Sequence, residues 1–279
     1  MTFQPLIPTT GIVGFQLLSR TEESQRQVFD QQPAISRDLA YFEENIANAT
    51  TAEALVSDRR LLRVVLGAFG LDEEIDKGAF IRKILEEGTE NPEAFANRLV
   101  DPRYTRFAES LGYGNVSGAR VGLTSFASDI SAAYRERQFE IAVGNQDESL
   151  RLALNFRREI QAYATAPDPD GTAWLQVLGD LPVRRVFEGA FGFGSEIGTL
   201  EVDRQREEFR EQNSRVFGDS SLAVFTDPEV AEQAIRRFLA REAASNGPDA
   251  STPGFAALTL LNGGIGAAGI ANILASRTG

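Results

Sequence analysis

One feature constrains the fold of this chain more than any other: an 18-residue stretch occurs twice, 122 positions apart. The copies are DRRLLRVVLGAFGLDEEI at residues 58–75 and DLPVRRVFEGAFGFGSEI at residues 180–197, with 9 of 18 positions identical. Average residue usage would give about one identity by chance. Repetition at a fixed offset is typical of two copies of one structural unit. We therefore expect an internal duplication.

Each copy has the pattern of a capped helix. Asp58 precedes an apolar stripe with the spacing of one helix face (Leu61, Leu62, Val65, Leu66, Phe69). Gly70 stands where a left-handed residue ends a helix. Asp180 and Gly192 are the equivalent residues of the second copy. We predict that Asp58 and Asp180 are N-terminal caps and that Gly70 and Gly192 end the helices.

Two Asp-Pro pairs extend the parallel between the copies. Asp101-Pro102 and Asp227-Pro228 lie 126 positions apart, and a helical pattern of similar length follows each pair. An aspartate cap followed by proline at the first helical position is a common helix start. We predict that Asp101 and Asp227 cap these helices.

The fold class follows from periodicity. Helical spacing recurs along the chain, and no segment alternates with period two for long enough to predict a strand. We expect an all-α, multi-helical fold with two related helical units bridged by two long helices. The expected regions are a flexible N-terminal segment 1–35, a first unit 36–114, a linker and long helices 115–165, a second unit 166–244, and a linker with a glycine-rich tail 245–279. One fused globular domain over 20–244 is the alternative.

The composition excludes several classes of chemistry. The 279 residues include no cysteine and no histidine, which removes thiol nucleophiles, disulfides, most zinc sites and histidine-based catalysis. The net charge of −12 argues against nucleic acid as a partner, because phosphate binding needs a basic patch. Nearly all basic residues are arginines, and we interpret them as partners of glutamates on solvated helix faces.

The chain ends carry apolar side chains without a targeting signal. No basic residue precedes Arg20, and breakers interrupt the apolar N-terminus, so we predict no cleavable signal peptide. Residues 254–275 are uncharged but rich in glycine. We do not expect a membrane span there, and a membrane anchor is the minor alternative. We predict that the two ends contact other proteins through Phe15, Leu17, Leu18, Phe255, Leu258, Leu260 and Leu261.

Two loops resemble ligand sites but lack the required form. Glycines at 192, 194 and 198 have the wrong spacing for a dinucleotide loop, and no lysine follows them as in a P-loop. The turn DPDG at residues 168–171 is a fragment of a calcium loop without the remaining ligands. We therefore predict no cofactor-binding and no metal-binding residue, and no cofactor.

A pair of carboxylates could catalyse glycoside hydrolysis without histidine or cysteine. Glu43, Glu44, Glu74 and Glu196 are conceivable members of such a pair. Nothing in the sequence marks two of them as lying at catalytic separation. We therefore predict no catalytic residue and no enzymatic activity.

Several segments carry a family resemblance. YFEENIANATTAEALVSDRRLLRVVLGAFGLDEEI, AFIRKILEEGTENPEAFANRLVDPRYTRFAESLGYG, RQFEIAVGNQDESLRLALNFRREI, VFEGAFGFGSEI and FTDPEVAEQAIRRFLAR resemble the domain of unknown function 1217 family. The resemblance covers roughly residues 12–262 in the same motif order, and residues 263–279 depart from it. It implies an all-α fold and a frequent setting in bacterial flagellar gene clusters. No active site is assigned to that family.

Two classes of function are expected from the residues and the resemblance together. The first is a non-enzymatic, flagellum-associated structural or assembly protein that contacts flagellar components or itself. The alternative is a peptidoglycan hydrolase that uses paired carboxylates. We expect a bacterial protein at the flagellum or in the cytoplasm.

Overall fold

The chain folds into α-helices joined by short connections. The computed structural model describes residues 3–245, and within that range no residue lies in a β-strand. The α-helices are α1 Gly11–Asp30, α2 Pro33–Asn45, α3 Ala52–Ser57, α4 Arg59–Phe69, α5 Gly78–Glu87, α6 Pro102–Leu111, α7 Phe126–Gly144, α8 Glu148–Ala164, α9 Thr172–Gly179, α10 Leu181–Phe191, α11 Val202–Phe217 and α12 Pro228–Ser245. The all-α, multi-helical fold expected from the sequence is confirmed.

Short 3-10 helices punctuate the connections. They span Ile46–Asn48, Asp72–Glu74, Phe95–Arg98, Ser195–Thr199 and Leu222–Thr226. One follows α4 and another follows α10, while one more precedes α6 and another precedes α12. The order of elements from α3 to α6 is therefore the same as that from α9 to α12. A duplication would produce this parallel order, and the duplication itself stays a prediction.

The helices of the two repeated stretches, α4 and α10, are called the signature helices. They pack on α7 and α8, the two long helices that lie between them in the chain. α7 packs against both α4 and α8, and α8 packs in turn against α10. Phe139 of α7 and Phe156 of α8 are fully buried in the same apolar core as Leu66 of α4 and Phe187 of α10. Residues up to Glu242 form one compact unit. The long helices thus contribute directly to the core that holds α4 and α10.

The segment 1–35 was expected to be flexible, but most of its described residues are helical. Its residues 11–30 form α1, and Phe15, Leu18 and Phe29 of that helix are buried. Gln25 also fixes the chain before α1, because its side chain accepts a hydrogen bond from the Leu6 amide at 2.6 Å. The helix-breaking prolines and glycine all precede or start α1, so they do not interrupt it. Burial of its apolar face stabilises the helix.

The predicted contact residues accordingly have different environments. Phe15 and Leu18 are core residues, whereas Leu17 exposes 37% of its surface. The C-terminal contact residues Phe255, Leu258, Leu260 and Leu261 lie outside the described residues. Over the described range, no helix combines the length and the apolar character that a membrane span requires.

The glycine-rich loop at residues 112–122, which includes the start of the expected linker, packs onto the first unit. The Arg120 amide donates to the Leu111 carbonyl at 2.9 Å, and Val121 is buried. The Tyr113 hydroxyl donates to the Ala49 carbonyl. Gly114 lies so close to the backbone around Gly88 that a Cβ atom would not fit. Gly114 therefore permits the close packing of the loop on the backbone around Gly88.

Candidate functional site

A charged cleft of about 540 Å³ opens between the signature helices and the long helices. Its walls are the end of α4 with the following Asp72–Glu74 turn, one face each of α7 and α8, and the start of α10. Arg103 of α6 adds one further side chain. The cleft thus combines residues from both predicted helical units and from the helices between them.

Helical spacing places the polar residues of α7 and α8 on the cleft. Glu148, Arg151, Asn155 and Glu159 of α8 line it at intervals of three or four residues, which is one face of a helix. Arg137 and three further residues of α7 (Glu140, Ile141 and Gly144) form the facing stripe. The opposite faces of both helices carry core residues, so the helices are fixed with these side chains turned to the cleft.

Glu159 is the centre of a buried charge cluster. Its carboxylate accepts hydrogen bonds from Arg106 at 2.5 Å, from Arg137 at 2.7 Å, and from the neighbouring Arg158. Arg158 also pairs with Glu140 at 2.8 Å. Glu159 and Glu140 are both more than nine-tenths buried. We call Arg106, Arg137, Glu140, Arg158 and Glu159 the central charge cluster.

The electrostatics of the cluster favour the ionised carboxylate. Burial of Glu159 opposes its ionisation, but the positive charges of Arg137, Arg158 and Arg106 outweigh that effect and lower its pKa to about 2. For Arg158, burial lowers the pKa while the bond and the charge of Glu140 raise it, with a net upward shift. Glu159 therefore stays ionised at neutral pH.

The predicted cap Asp180 joins this cluster. It is buried at the N-terminus of α10, where its carboxylate accepts a hydrogen bond from the Val183 amide at 3.4 Å. The other carboxylate oxygen accepts bonds from the Tyr163 hydroxyl at 2.7 Å and from Arg106 at 3.1 Å. Burial and the charge of Asp180 raise the pKa of Tyr163. Asp180 thus links the second signature helix to the cleft.

The end of the first signature helix also faces the cleft. Gly70 follows α4 with a φ of 68°, in the left-handed region. Arg137 donates to the Ala68 carbonyl at 2.9 Å, and Arg103 donates to the Gly70 carbonyl. These carbonyls have no partner within the helix, and positive charge at a helix C-terminus complements its dipole. The arginines thus satisfy the helix end.

The second signature helix ends in a similar way but away from the cleft. Gly192 follows α10 with a φ of 76°. Arg237 donates to the Ala190 carbonyl at 3.2 Å, which is the position equivalent to Ala68. The guanidinium of Arg241 lies against Gly192. Gly192 is not among the residues that line the cleft.

The other predicted caps lie at helix starts away from the cleft. Asp58 accepts hydrogen bonds from the Arg60 amide at 2.9 Å and the Leu61 amide at 3.1 Å. Asp101 accepts from the Arg103 amide at 2.9 Å, and Asp227 accepts from the Glu229 amide at 2.8 Å. Of the six predicted cap residues, only Gly70 and Asp180 line the cleft.

Two largely buried polar side chains, Asn155 and Glu74, lie beside the cleft. Asn155 is 4% exposed and Glu74 is 7% exposed, and both line the cleft. Asn155 Oδ1 accepts no hydrogen bond from the described residues. One oxygen of Glu74 accepts a bond from Lys77 at 3.0 Å. Burial and the Glu74 carboxylate, which interacts with the Tyr104 hydroxyl, raise the pKa of Tyr104 to about 12. A buried acceptor left unpaired is destabilising, so Asn155 contributes an unsatisfied acceptor to the cleft wall.

The arginines of the cleft correct one sequence interpretation. We interpreted arginines as partners of glutamates on solvated faces, but the side chains of Arg137 and Arg158 are only 12% and 19% exposed. The sequence does hold a signal: Glu140 lies between Phe139 and Ile141, within an apolar run. Charged residues at such positions can be buried when arginine neutralises them. The residues that the sequence did not single out are Arg103, Arg106, Arg137, Glu140, Asn155, Arg158 and Glu159.

The conceivable catalytic carboxylates do not meet in the cleft. Glu74 lines it, whereas Glu43, Glu44 and Glu196 lie elsewhere and are exposed. The DPDG turn is closed by Asp168, whose carboxylate accepts from the Gly171 and Thr172 amides at 3.0 Å and 2.7 Å. Over residues 3–245, no three acidic side chains lie grouped as a metal site would require. The cleft can bind charged or hydrogen-bonding groups.

Comparison with known proteins gives a family match and a structural match. The family model described as a protein of unknown function (DUF1217) matches residues 68–230. A crystal structure of a protein from Agrobacterium tumefaciens has a TM-score of 0.70 and 25% sequence identity, covering 88% of this chain and 100% of that one. No curated protein matches the chain.

Proposed function

The chain belongs to the DUF1217 family, and from that premise we propose that it acts without catalysis, as a flagellum-associated structural or assembly protein. It would work through contacts with other proteins, either flagellar components or a second copy of itself. The flagellar setting comes from the family resemblance of its sequence motifs. The absence of catalysis is argued from the cleft.

The observation that carries this proposal is the state of the carboxylates in the cleft. Carboxyl-based hydrolysis needs one carboxyl group that stays protonated to donate to the leaving group. In the cleft, Glu159 is instead held ionised by three arginines, and Glu140 and Asp180 are each bonded to an arginine. Carboxylates that are ion-paired in this way stabilise the fold and hold the side chains of the cleft in place.

The exposed apolar side chains of α1 support contact with a protein partner. Val13 and Leu17 are exposed, and they are four residues apart on one face of the helix. Leu6 is exposed just before the helix. Phe15 and Leu18 of the same helix are buried and hold it to the core. The outward face can therefore be changed without unfolding the protein.

Fractionation of flagellated cells tests the proposal. Tagged protein is followed into purified flagellar basal bodies from cells with and without a working flagellar export gate. We expect it to sediment with basal bodies, and to be lost from them in the gate mutant if it is exported. A Val13→Glu/Leu17→Glu double variant should reduce that association, because it places charge on the outward face of α1.

A matched surface variant controls this experiment. Val116→Glu changes a side chain that is 95% exposed and lies far along the chain from α1. It should sediment like the unchanged protein. If the protein never accompanies basal bodies in cells that carry intact flagella, the flagellar part of the proposal is wrong.

Peptidoglycan hydrolysis is the alternative function. The feature that favours it is Glu74, a carboxylate that lines the cleft and is 7% exposed. A fall in turbidity of purified peptidoglycan, abolished by Glu74→Gln and retained by Glu196→Gln, would support the alternative. No clearing between pH 4 and pH 8 would end it.

A further inference from the structure

We propose that two copies of this chain pair through the outward face of α1, with the two helices antiparallel. Val13, Leu17 and Val28 of α1 are exposed. Their spacings of four and eleven residues are close to one and three helical turns, so the three side chains lie on one stripe. α1 has 20 residues and is therefore about 30 Å long. We call this line of exposed side chains the α1 stripe.

The α1 stripe can meet a partner because the opposite side of the helix already serves the core. Phe15, Leu18 and Phe29 are buried, and α1 packs on α7 and α8. Ser24 lies on the stripe between its apolar residues and is also exposed. Its small side chain leaves room for a larger side chain of a facing helix. The stripe thus offers apolar side chains and a small position that can receive one.

Two charged side chains of α1 are available to a partner, whereas two others are not. Glu22 and Arg26 pair with each other at 2.7 Å, and each also pairs with a residue of α7 or α8. Arg20 and Glu23 are exposed, and within residues 3–245 neither side chain has an ion pair or a hydrogen bond. One positive and one negative charge, three residues apart, therefore face solvent beside the α1 stripe.

An antiparallel arrangement matches the stripe with itself. In a pair of identical helices related by a twofold axis, residues at equal distances from the midpoint face each other. A midpoint between residues 20 and 21 places Val13 of one copy opposite Val28 of the other. It also places Leu17 of one copy opposite Ser24 of the other. Each large side chain therefore meets an apolar or a small one.

The free charges favour the antiparallel direction. Around the same midpoint, Arg20 of one copy lies within one helical turn of Glu23 of the other, and the twofold axis makes this contact twice. In a parallel pair, Arg20 would face Arg20 and Glu23 would face Glu23, and like charges that face each other are destabilising. The net charge of −12 makes two copies repel each other overall. A stripe with one charge of each sign is therefore a favourable place for them to meet.

This inference names one partner for the surface that the proposed function assigns to protein contact, and to that extent it rests on the proposed function. The pairing itself is measured on the purified full chain, without flagella. A single helix face is small, so we expect a weak, reversible dimer with a Kd of about 10–100 μM. Sedimentation equilibrium over a range of concentrations measures this Kd.

Introduced cysteines test the direction of the helices, because the chain has no cysteine of its own. A disulfide needs Cα atoms within about 7 Å. In the antiparallel pair, the two copies of residue 13 lie about 22 Å apart along the helix axes. Under mild oxidation, Val13→Cys alone and Val28→Cys alone should therefore stay uncrosslinked, while a mixture of the two variants should form a disulfide-linked dimer. A parallel pair would crosslink each variant with itself and would not crosslink the mixture.

Charge reversal tests the contact between Arg20 and Glu23. Arg20→Glu alone and Glu23→Arg alone should each weaken dimerisation at least about tenfold, since each makes the facing charges alike. An equimolar mixture of these two variants should dimerise again, because the face of one is then negative and the face of the other positive. Arg215→Glu is the matched control, because it makes the same charge change on an exposed side chain of α11 and should leave the Kd unchanged.

The outcomes separate the pairing from the proposed function. Crosslinking in the mixture alone, together with loss and recovery in the charge variants, supports the antiparallel pair. Crosslinking of each variant with itself, or a monomer up to about 1 mM, overturns it. A monomer that loses its basal bodies through Val13→Glu/Leu17→Glu would overturn the pair and assign the α1 stripe to another flagellar protein. A dimer that never accompanies basal bodies would overturn the flagellar function and leave the pair intact.

Discussion

A tyrosine donates a hydrogen bond to the capping aspartate at the start of each signature helix, but the two pairs lie in different environments. The Tyr41 hydroxyl donates to the Asp58 carboxylate at 2.6 Å, and the Tyr163 hydroxyl donates to the Asp180 carboxylate at 2.7 Å. Both tyrosines precede their aspartates by 17 residues, so the parallel between the copies extends upstream of the repeated stretch. We call these the first and the second Tyr–Asp pair.

The difference between the pairs lies in what surrounds them. Tyr41 and Asp58 are only partly buried, and Arg60 stacks over the tyrosine ring at 3.8 Å. Tyr163 and Asp180 are buried, and Arg106 bonds both of them to the central charge cluster. The first pair serves one helix start, while the second also connects that start to the cleft. The same local motif thus occurs in two different surroundings.

Among the substitutions that test this difference, removal of the Glu159 carboxylate at the centre of the cluster should reduce the free energy of unfolding most. Glu159→Gln leaves Arg106, Arg137 and Arg158 without their shared negative charge. Breaking a buried ion pair in this way costs about 3–5 kcal/mol. Urea unfolding followed by circular dichroism measures the loss. Glu208→Gln, which breaks a partly exposed pair with Arg204 on α11, is the control and should cost under about 1 kcal/mol.

Acid should lower the stability that the central charge cluster provides, because Glu159 becomes protonated. The folded pKa of Glu159 is about 2, below its ordinary value of 4.5. Between pH 2 and pH 4.5, the Glu159 carboxyl group is ionised in the folded protein and takes up a proton on unfolding. Its stabilisation is therefore complete above about pH 4.5 and is lost as the pH falls through 2. The shift corresponds to about 3 kcal/mol. The stability difference between the unchanged protein and Glu159→Gln should shrink by most of that amount, about 2.5 kcal/mol, between pH 6 and pH 2.5. A difference independent of pH would contradict the assignment.

The contrast also marks where sequence reasoning succeeds. The helix starts at Asp58 and Asp180 and the ends at Gly70 and Gly192 depend on residues close in sequence, so local patterns suffice to predict them. The central charge cluster depends on Arg106 of α6 meeting Glu159 of α8, 53 residues later. No local pattern encodes that meeting. The burial of α1 likewise depends on its packing against α7 and α8.

Removal of one hydroxyl from each pair compares them directly. Tyr163→Phe deprives buried Asp180 of a donor and Arg106 of an acceptor at 2.7 Å, and should cost about 2–3 kcal/mol. Tyr41→Phe removes the bond to Asp58, which water can replace, and should cost under about 1 kcal/mol. Chemical denaturation of both variants checks the order. Equal losses would mean that burial does not distinguish the pairs.

The smallest expected difference in stability is between alanine substitutions at Gly70 and Gly192, the glycines that end the two signature helices. Alanine at a left-handed position costs about 1 kcal/mol or somewhat more. Gly218→Ala measures that cost alone, because Gly218 ends α11 with a φ of 88° and has nothing within 4 Å of an added Cβ. Gly192→Ala should cost about the same, since the Arg241 guanidinium beside it can move. Gly70→Ala should cost up to about 1 kcal/mol more, because an added Cβ would lie 2.8 Å from Arg137, which Glu159 and the Ala68 carbonyl hold in place. If Gly192→Ala proved the more costly of the two in denaturant unfolding, then Arg137 would not be anchored by the cluster as described.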